Sequence, residues 1–213
     1  PTHAILDPEL IMTAPAGVAA SCGVDAFIHA MEAYVSRQAS PFTDAMAEKA
    51  MELIGANLRL FVADRSNAEA ACAMMVGSNL AGIAFAWARL GNIHAMSHPV
   101  SAFFGVAHGV ANAILMPYVV EFNALADNGR YEKIYNYIRS GRGPVESFHP
   151  QMLVDELKKL NEELNIPAHL SEVGVTDEHF EEMAADAMKT VNVIANPRAT
   201  TAKDLVALYK QAL

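Results

Sequence analysis

The sequence predicts an all-α, multihelical, bundle-like fold over residues 1–213, and three observations support this prediction. Apolar residues recur at helical spacing along nearly the whole chain. Strand-like alternation of apolar and polar residues is scarce, and Ala4–Leu6 is the single plausible strand remnant. The composition is 53% hydrophobic with a mean hydropathy of +0.17, so the 213 residues suffice for one sizeable core.

The first half of the chain predicts three long helices. The first runs from about Ala16 to Val35. The second begins with Ser40 as N-cap and Pro41 at the first helical position, and it continues to about Val62. The third, over about Asn67–Leu90, is apolar nearly all round, which is typical of a helix in the centre of a domain.

Helix-breaking residues separate this half from a second group of helices. Gly91 and Asn92 end the third helix, and Pro99 and Gly105 interrupt the helical pattern again. A strongly apolar helix is predicted over His108–Asn123. Four amphipathic surface helices then follow, over about Gly129–Arg139, Pro150–Leu164, Asp177–Val191 and Ala202–Leu213.

Turn and capping residues mark the ends of these later helices. Thr176 is predicted to cap the third of them, and Thr201 with Asp204 resembles a capping box for the last. The segments 140–144 and 166–167 combine glycine, proline and polar residues and therefore predict loops.

Charge and cysteine usage exclude several classes of partner. Lys and Arg total 15 against 24 Asp and Glu, which gives a net charge of −9 without a basic patch, so nucleic acid and membranes are not expected partners. We expect no apolar run of transmembrane length that is free of polar breaks. The start, Pro1–Ala4, lacks the pattern of a signal peptide. Because Cys22 and Cys72 alone do not form a disulfide framework, a reduced, cytoplasmic setting is expected.

Five side chains of the metal-ligand type form the most informative pattern. Asp25 and His29 are four residues apart, as are His94 and His98, so each pair lies on one helix face, and His108 follows ten residues later. These groups, brought together by folding, would surround one divalent metal with oxygen and nitrogen ligands. Asp25 interrupts an apolar stretch, where a carboxylate must be paired or coordinated. A purely structural hydrogen bond between Asp25 and His29 is the open alternative.

Neighbouring residues have plainer interpretations. Glu32 follows the turn of His29 and is either an exposed residue, which we favour, or a group that orients a ligand. Glu48 lies in a row of acidic residues that predicts a solvated helix face, and Cys22 is interpreted as a small buried residue. The sequence contains no strand-associated glycine-rich dinucleotide loop, no Walker loop and no CxxC pair. The histidines predicted to lie on the surface are His3, His149, His169 and His179.

Long stretches of the sequence resemble the C-terminal, helical metal-binding half of the iron-dependent (group III) alcohol dehydrogenases. The resemblance rests on Leu6–Leu10, Gly23–Ser36, His94–Pro99 and Ala107–Pro117, in that order, and extends more loosely to Asn196–Arg198. It implies the C-terminal half of the dehydroquinate synthase-like architecture, in which a helical catalytic domain follows an α/β nucleotide-binding domain.

The same resemblance implies a site and a reaction. It places the family's metal ligands on Asp25, His29, His94 and His108, and it places His98 beside the metal near the nicotinamide. Fe²⁺ is the expected ion, although Zn²⁺ or another divalent metal suits such ligands. The implied reaction is hydride transfer between an alcohol and NAD(P), with the metal on the alcohol oxygen and His98 relaying the proton or orienting the substrate. A small alcohol or aldehyde is the expected substrate, and a homo-oligomer is expected.

Two further expectations concern what the chain does alone. NAD(P) would be held by an N-terminal α/β domain that this chain lacks, so we expect the chain to bind metal with little or no dehydrogenase activity.

Ala14 and Tyr118 stand where family members often carry Leu and His. The alternatives are a non-catalytic helical metal-binding or assembly module and a zinc-dependent, glycerol-type polyol dehydrogenase. The latter ranks lower because it usually lacks one of the four ligands.

Overall fold

The computed structural model of the chain describes residues 2–141, 143, 145 and 147–213. All regular secondary structure within these residues is helical, so the all-α prediction is confirmed. Arg142 and Pro144 of the predicted 140–144 loop lie outside the described residues. The α-helices are α1 (Glu9–Met12), α2 (Ala16–Val35), α3 (Pro41–Ala63), α4 (Ala68–Ala88), α5 (Asn92–Phe104), α6 (His108–Asn123), α7 (Arg130–Ile138), α8 (Pro150–Glu163), α9 (Phe180–Ala187), α10 (Val191–Ala195) and α11 (Ala202–Ala212).

Helix α2 lies at the centre of the molecule, because it packs against α3 and α4 on one side and against α6 on another. Its residues Phe27, Ile28 and Met31 are at most 2% exposed. Each such side chain contributes roughly 1.5–3 kcal/mol when it is fully removed from water. The helix that carries Asp25 and His29 is therefore held by the core itself.

A second group of helices completes the site-bearing part of the molecule. Helix α5 packs against α6 and α9, and α6 also packs against α8 and α11. The fully buried Tyr209 of α11 donates its hydroxyl hydrogen to the carbonyl oxygen of Met96 in α5, at 2.7 Å. The C-terminal helices thus support α5 and α6.

Several helix ends follow the predicted capping chemistry. Ser40 and Thr43 form a reciprocal capping box at the start of α3, with Pro41 at its first position. Thr201 and Asp204 form the predicted box at the start of α11. Helix α5 differs from the prediction, because it continues through Pro99. Its buried ring costs the helix one backbone hydrogen bond but does not end it.

The prediction of one helix over 177–191 was wrong. A short 3₁₀ turn precedes α9, and the chain leaves the helix between α9 and α10 at Thr190. The hydroxyl of Thr190 donates to the carbonyl oxygen of Ala187 at 2.9 Å, and such local side-chain bonds compete with helix continuation. Thr176 makes no side-chain cap.

Two interpretations of the first half were also wrong. Ala4–Leu6 forms no strand, and α1 follows it without having been predicted. Helix α4 is not buried on all sides, because Trp87 is 71% exposed and Cys72 is exposed while the opposite face packs on α2 and α3. Small residues such as Ala81 form the packed face.

Two segments are long and apolar enough to cross a membrane by length and composition alone. They are α4, with a mean hydropathy of 1.5, and His108–Ala126, with a mean hydropathy of 1.3. Both contain polar residues, such as Asn79 in α4 and Glu121 in the second segment. Both helices pack against other helices here, α4 against α2 and α3, and α6 against α2, α5 and α8.

Candidate metal centre

Helix α2 presents three polar side chains from one face to the inside of the molecule. Asp25, His29 and Glu32 are spaced by four and three residues, which places them along one side of the helix. Asp25 and His29 are largely shielded from solvent, and Glu32 is only 4% exposed. A buried carboxylate is stable only with partners, so the contacts of both acidic groups define the site.

Glu32 orients His94 on α5. One carboxylate oxygen, Oε2, lies 2.7 Å from His94 Nδ1, and the other, Oε1, accepts the backbone N–H of Ile93 at 2.7 Å. The expectation that Glu32 is exposed was therefore wrong. The geometry supports the alternative, in which Glu32 orients a ligand. With Nδ1 bonded to Glu32, Nε2 is the ring nitrogen that faces Asp25.

Helix α6 begins with His108 and approaches α2 closely. A β-carbon on the following residue, Gly109, would lie 2.6 Å from the carbonyl oxygen of Ser21 in α2. Only glycine permits this approach, and a larger residue would push the start of α6 away from Asp25. The glycine thus sets the position of the His108 imidazole.

The four predicted ligand residues converge. One ligand atom from each of Asp25, His29, His94 and His108 lies within 4.8 Å of the others. The Nε2 atoms of His94 and His108 are 3.4 and 3.8 Å from Asp25 Oδ1, and His29 Nε2 is 4.0 Å from Asp25 Oδ2. Three imidazoles around one carboxylate form a donor set of the kind that binds Fe²⁺, Zn²⁺ and related divalent ions. The residues present therefore fit a single ion.

Asn112 is a member of this cluster that the sequence analysis missed. Its side chain is fully buried, and Nδ2 lies 2.6 Å from Asp25 Oδ1 and about as near to Nε2 of His94 and of His108, at 3.1 and 3.0 Å. Since an amide nitrogen carries two hydrogens, it donates to at most two of these acceptors at once. The available signal was a polar residue one helical turn after His108 within an apolar run.

His98 lies beside the four-residue cluster and is not part of it. It is exposed, with its ring centroid 5.4 Å from that of His108 and 6.2 Å from that of His94. Burial and then the charges of His94 and His108 lower its pKa below the ordinary value. His98 is thus a neutral imidazole at neutral pH, next to the cluster and accessible to solvent.

The electrostatics of the cluster favour cation binding. Burial raises the pKa of Asp25, but hydrogen bonding to His94 and the nearby His29 outweigh it, and the net pKa is lowered. Burial lowers the pKa of His94, but hydrogen bonds with Asp25 and Glu32 outweigh it and raise the pKa to about 9. Burial dominates at the imidazoles of His29 and His108; it lowers the pKa of His29 to about 4 and also lowers that of His108. Only His94 must lose a proton at neutral pH before its Nε2 binds a cation.

The remaining sequence candidates lie outside the cluster. Glu48 bonds Lys133 and Tyr137 on α7 at 3.0 and 3.1 Å, so its face of α3 is an interhelical contact in place of the predicted solvated surface. Cys22 is exposed and not buried as expected. Phe85 lies 4.7 Å from the His29 ring, between centroids, and forms an apolar wall beside the cluster.

Known proteins are similar to this chain in sequence and in fold. Residues 19–213 match the model described as the Fe-containing alcohol dehydrogenase family, C-terminal. The chain is 37% identical over 213 residues to a 1,3-propanediol dehydrogenase of Citrobacter freundii, covering 100% of this chain and 55% of that protein. It is 37% identical over 214 residues to an NAD-dependent methanol dehydrogenase of Bacillus methanolicus, covering 100% of this chain and 56% of that protein.

A solved structure of a 1,3-propanediol oxidoreductase superposes with a TM-score of 0.92 at 37% identity, covering 97% of this chain and 55% of that one. The chain thus spans about half the length of the relatives that it matches. The match over nearly the whole chain and the shared helical fold together show that this chain belongs to the Fe-containing alcohol dehydrogenase family.

Proposed function

We propose that this chain is the metal-binding part of an NAD(P)-linked alcohol dehydrogenase, in which Asp25, His29, His94 and His108 hold one divalent ion. The observation that carries the proposal is the convergence of their ligand atoms within 4.8 Å. Fe²⁺ is the ion that we place first, because the matching family is described as Fe-containing. When bound, such an ion supplies Lewis-acid chemistry that favours an alkoxide and polarises a carbonyl.

The chain's own residues have separate roles in this proposal. Asp25 supplies the one negative charge that directly faces the cation, and Glu32 holds the His94 ring in place through Nδ1. Asn112 donates a hydrogen bond to Asp25 Oδ1 and keeps that carboxylate turned toward the imidazoles. His98, as a neutral imidazole beside the cluster, accepts the proton of the alcohol hydroxyl in oxidation and returns it in reduction.

Substrate, nucleotide and assembly are further parts of the proposal. The relatives' names, 1,3-propanediol dehydrogenase and NAD-dependent methanol dehydrogenase, support a small alcohol or aldehyde as substrate and NAD(P) as hydride carrier. We place the nucleotide on a separate N-terminal half, because those relatives are about twice as long as this chain. We also propose a cytoplasmic homo-oligomer. The chain alone is then expected to transfer hydride far more slowly than an intact dehydrogenase.

Metal analysis of the purified 213-residue chain tests the ligand set. We expect about one ion per chain, a stoichiometry that follows from one four-donor site. His108→Ala should weaken binding by more than the roughly 100-fold that loss of an orienting partner causes. His149→Ala, at an exposed position outside the cluster, is the matched control and should bind like the wild type. No bound ion, or equal loss in both variants, contradicts the proposal.

The same sample separates the alternative functions. Single alanine substitutions of the four residues separate the two enzymes: binding that survives the loss of one of them would favour the polyol dehydrogenase of the glycerol type, which usually lacks one of the four ligands. Oxidation of NADH by the isolated chain with a small aldehyde, measured by absorbance, is expected to be negligible. Rapid turnover there would overturn our placement of the nucleotide on another half.

A further inference from the structure

The last residue of α10 and the loop that follows it, together called the Asn196 loop (residues 195–200), lie against the turn that leads into α5. Residues 196–198 belong to the loosely matched part of the family resemblance, and none of them lies among the four converging residues. Asn196 is 1% exposed although it belongs to a loop. A buried polar side chain at such a place is retained only when its hydrogen bonds are satisfied, so its partners indicate its role.

Asn196 uses both ends of its side-chain amide. Its Oδ1 accepts the backbone N–H of Asn92, the first residue of α5, at 3.2 Å, and accepts Asn123 Nδ2 at 3.0 Å. Its Nδ2 donates to Asn123 Oδ1 at 2.8 Å and to the carbonyl oxygen of Arg198 at 2.7 Å. The reciprocal amide pair with Asn123 therefore joins the loop and the start of α5 to the end of α6.

Gly91 shows how closely Asn196 and Glu32 approach the same turn. A β-carbon on Gly91 would lie 2.9 Å from Glu32 Oε1 and 3.0 Å from Asn196 Oδ1. Glu32 accepts the backbone N–H of Ile93 and bonds His94 Nδ1. Asn196 accepts the backbone N–H of Asn92, the residue just before Ile93. The two side chains thus fix consecutive peptide groups at the start of α5, and these groups determine where His94 points.

Other contacts of the loop reach the ends of α2 and α6. Arg37, just after α2, makes two hydrogen bonds to the loop. Its backbone N–H donates to the carbonyl oxygen of Ala195 at 2.9 Å, and its side-chain Nε donates to the carbonyl oxygen of Pro197 at 3.1 Å. Arg198 donates to the carbonyl oxygen of Phe122 in α6 at 2.7 Å and stacks on that ring. A single loop therefore contacts the ends of α2, α5 and α6, the three helices that carry the four ligand residues.

We propose that the Asn196 loop is a positioning element for the metal centre and that Asn196 is its positioning residue. The loop fixes the separation of three helix ends, and Asn196 with Glu32 fixes the orientation of His94. The inference rests on the proposed function, since it concerns the geometry of the same four ligands. It adds that the metal affinity depends on residues that lie far from every ligand residue in the sequence.

Co²⁺ binding by the full chain, followed through the visible absorption of the bound ion, tests this inference. Asn196→Ala should weaken Co²⁺ binding roughly 10-fold, at the lower end of the range for residues that orient a ligand. It should also change the absorption bands, because they report the geometry of coordination. Asn67→Ala is the matched control: Asn67 accepts the N–H of Ala70 at 3.0 Å as the N-cap of α4. Loss of that cap should destabilise the fold without changing the Co²⁺ dissociation constant.

A double-mutant cycle with Glu32→Gln separates positioning from a general structural role. If Asn196 acts on the orientation of His94 together with Glu32, the effects of Asn196→Ala and Glu32→Gln on Co²⁺ affinity should be non-additive. In the Glu32→Gln background, Asn196→Ala should cost clearly less than it costs in the wild type. Full additivity, or an equal loss of affinity in Asn67→Ala, overturns the role of Asn196.

A milder variant decides the matter if Asn196→Ala does not fold. Thr200 Oγ1 accepts Asn92 Nδ2 at 2.8 Å, so Thr200→Val removes one contact between the loop and α5 while keeping the side-chain shape. It should shift Co²⁺ affinity in the same direction by a smaller factor. Wild-type affinity in every folded loop variant overturns the inference alone, whereas a wild-type chain that binds no Co²⁺ overturns the proposed function and the inference with it.

Discussion

His94 is the residue on which the geometry of the cluster depends most, because both of its ring nitrogens have acidic partners. Glu32 lies 2.7 Å from Nδ1, and Asp25 lies 3.4 Å from Nε2. These contacts outweigh the effect of burial and raise the pKa of His94 to about 9. A proton on Nε2 and a metal ion are therefore direct competitors for one lone pair.

This competition predicts the pH dependence of metal binding. Because the pKa of His94 is raised to about 9, the imidazole is protonated below that pH. The affinity for the metal ion therefore falls as the pH falls. The pKa values of Asp25, His29 and His108 are lowered, so at neutral pH the carboxylate is ionised and these two imidazoles are uncharged. We expect one proton to be released per ion and a roughly tenfold gain in affinity per pH unit between about pH 7 and 9.

Chelator competition across this pH range, with proton release followed in weakly buffered solution, measures both quantities. A flat affinity would show that His94 is not a ligand. A release of about three protons per ion would show that all the imidazoles are charged before the ion binds, contrary to the lowered pKa values of His29 and His108.

At the same scale, sequence spacing identified the groups that converge but not the groups that support them. Asp25, His29, His94 and His108 are recognisable because metal-ligand side chains at helical spacing within apolar stretches are unusual. The ligand role itself remains a prediction. Glu32 and Asn112 gave no comparable signal, since the partner of Glu32 lies 62 residues away and only the folded structure brings the two side chains together.

At the scale of elements, the turn between α4 and α5 contains a strained backbone conformation. Arg89 ends α4 with φ 66° and ψ 179°, a backbone region occupied almost only by glycine. After Leu90 come Gly91, which lies against Glu32 and Asn196, and Asn92, whose backbone N–H donates to Asn196. The strain at Arg89 is therefore maintained by the same contacts that position the start of α5.

Arg89→Gly should stabilise the fold. Relief of a strained conformation is worth about 1–3 kcal/mol, and the extra freedom of glycine in the unfolded chain removes roughly 0.5–1 kcal/mol of it. We expect the free energy of unfolding to rise by about 1 kcal/mol in denaturant titrations. Arg65, in the turn after α3, is a matched control without a positive φ, and Arg65→Gly should lower stability. Equal losses in both variants would show that Arg89 is not strained.

Helix existence was predictable from periodicity, and helix ends were predictable where a side chain caps them. Ser40 and Thr201 mark true starts because their capping contacts lie within the first turn. The break at Thr190 and the continuation through Pro99 were not predictable in this way. Both depend on a balance between local bonds and burial in the folded core, which periodicity does not report.

On the scale of the whole molecule, the cluster joins parts of the chain that are far apart in sequence. The four proposed ligand residues come from α2, α5 and α6. The unfolded chain does not hold these groups together, so an ion that binds all four binds the folded state selectively. Binding free energy then adds directly to the stability of the fold.

Metal binding should therefore raise the melting temperature of the chain. At a free ion concentration of one hundred times the dissociation constant, the stabilisation is about 2.7 kcal/mol, which corresponds to roughly 5–10 °C for a domain of this size. Thermal unfolding with and without Co²⁺ measures the shift. His108→Ala should reduce it strongly, whereas His98→Ala should keep it, because His98 lies beside the four converging ligand atoms and is not one of them. If His98→Ala removed the shift and His108→Ala kept it, the ion would sit on the solvent side of α5, and the assignment of ligand and proton carrier would have to be exchanged.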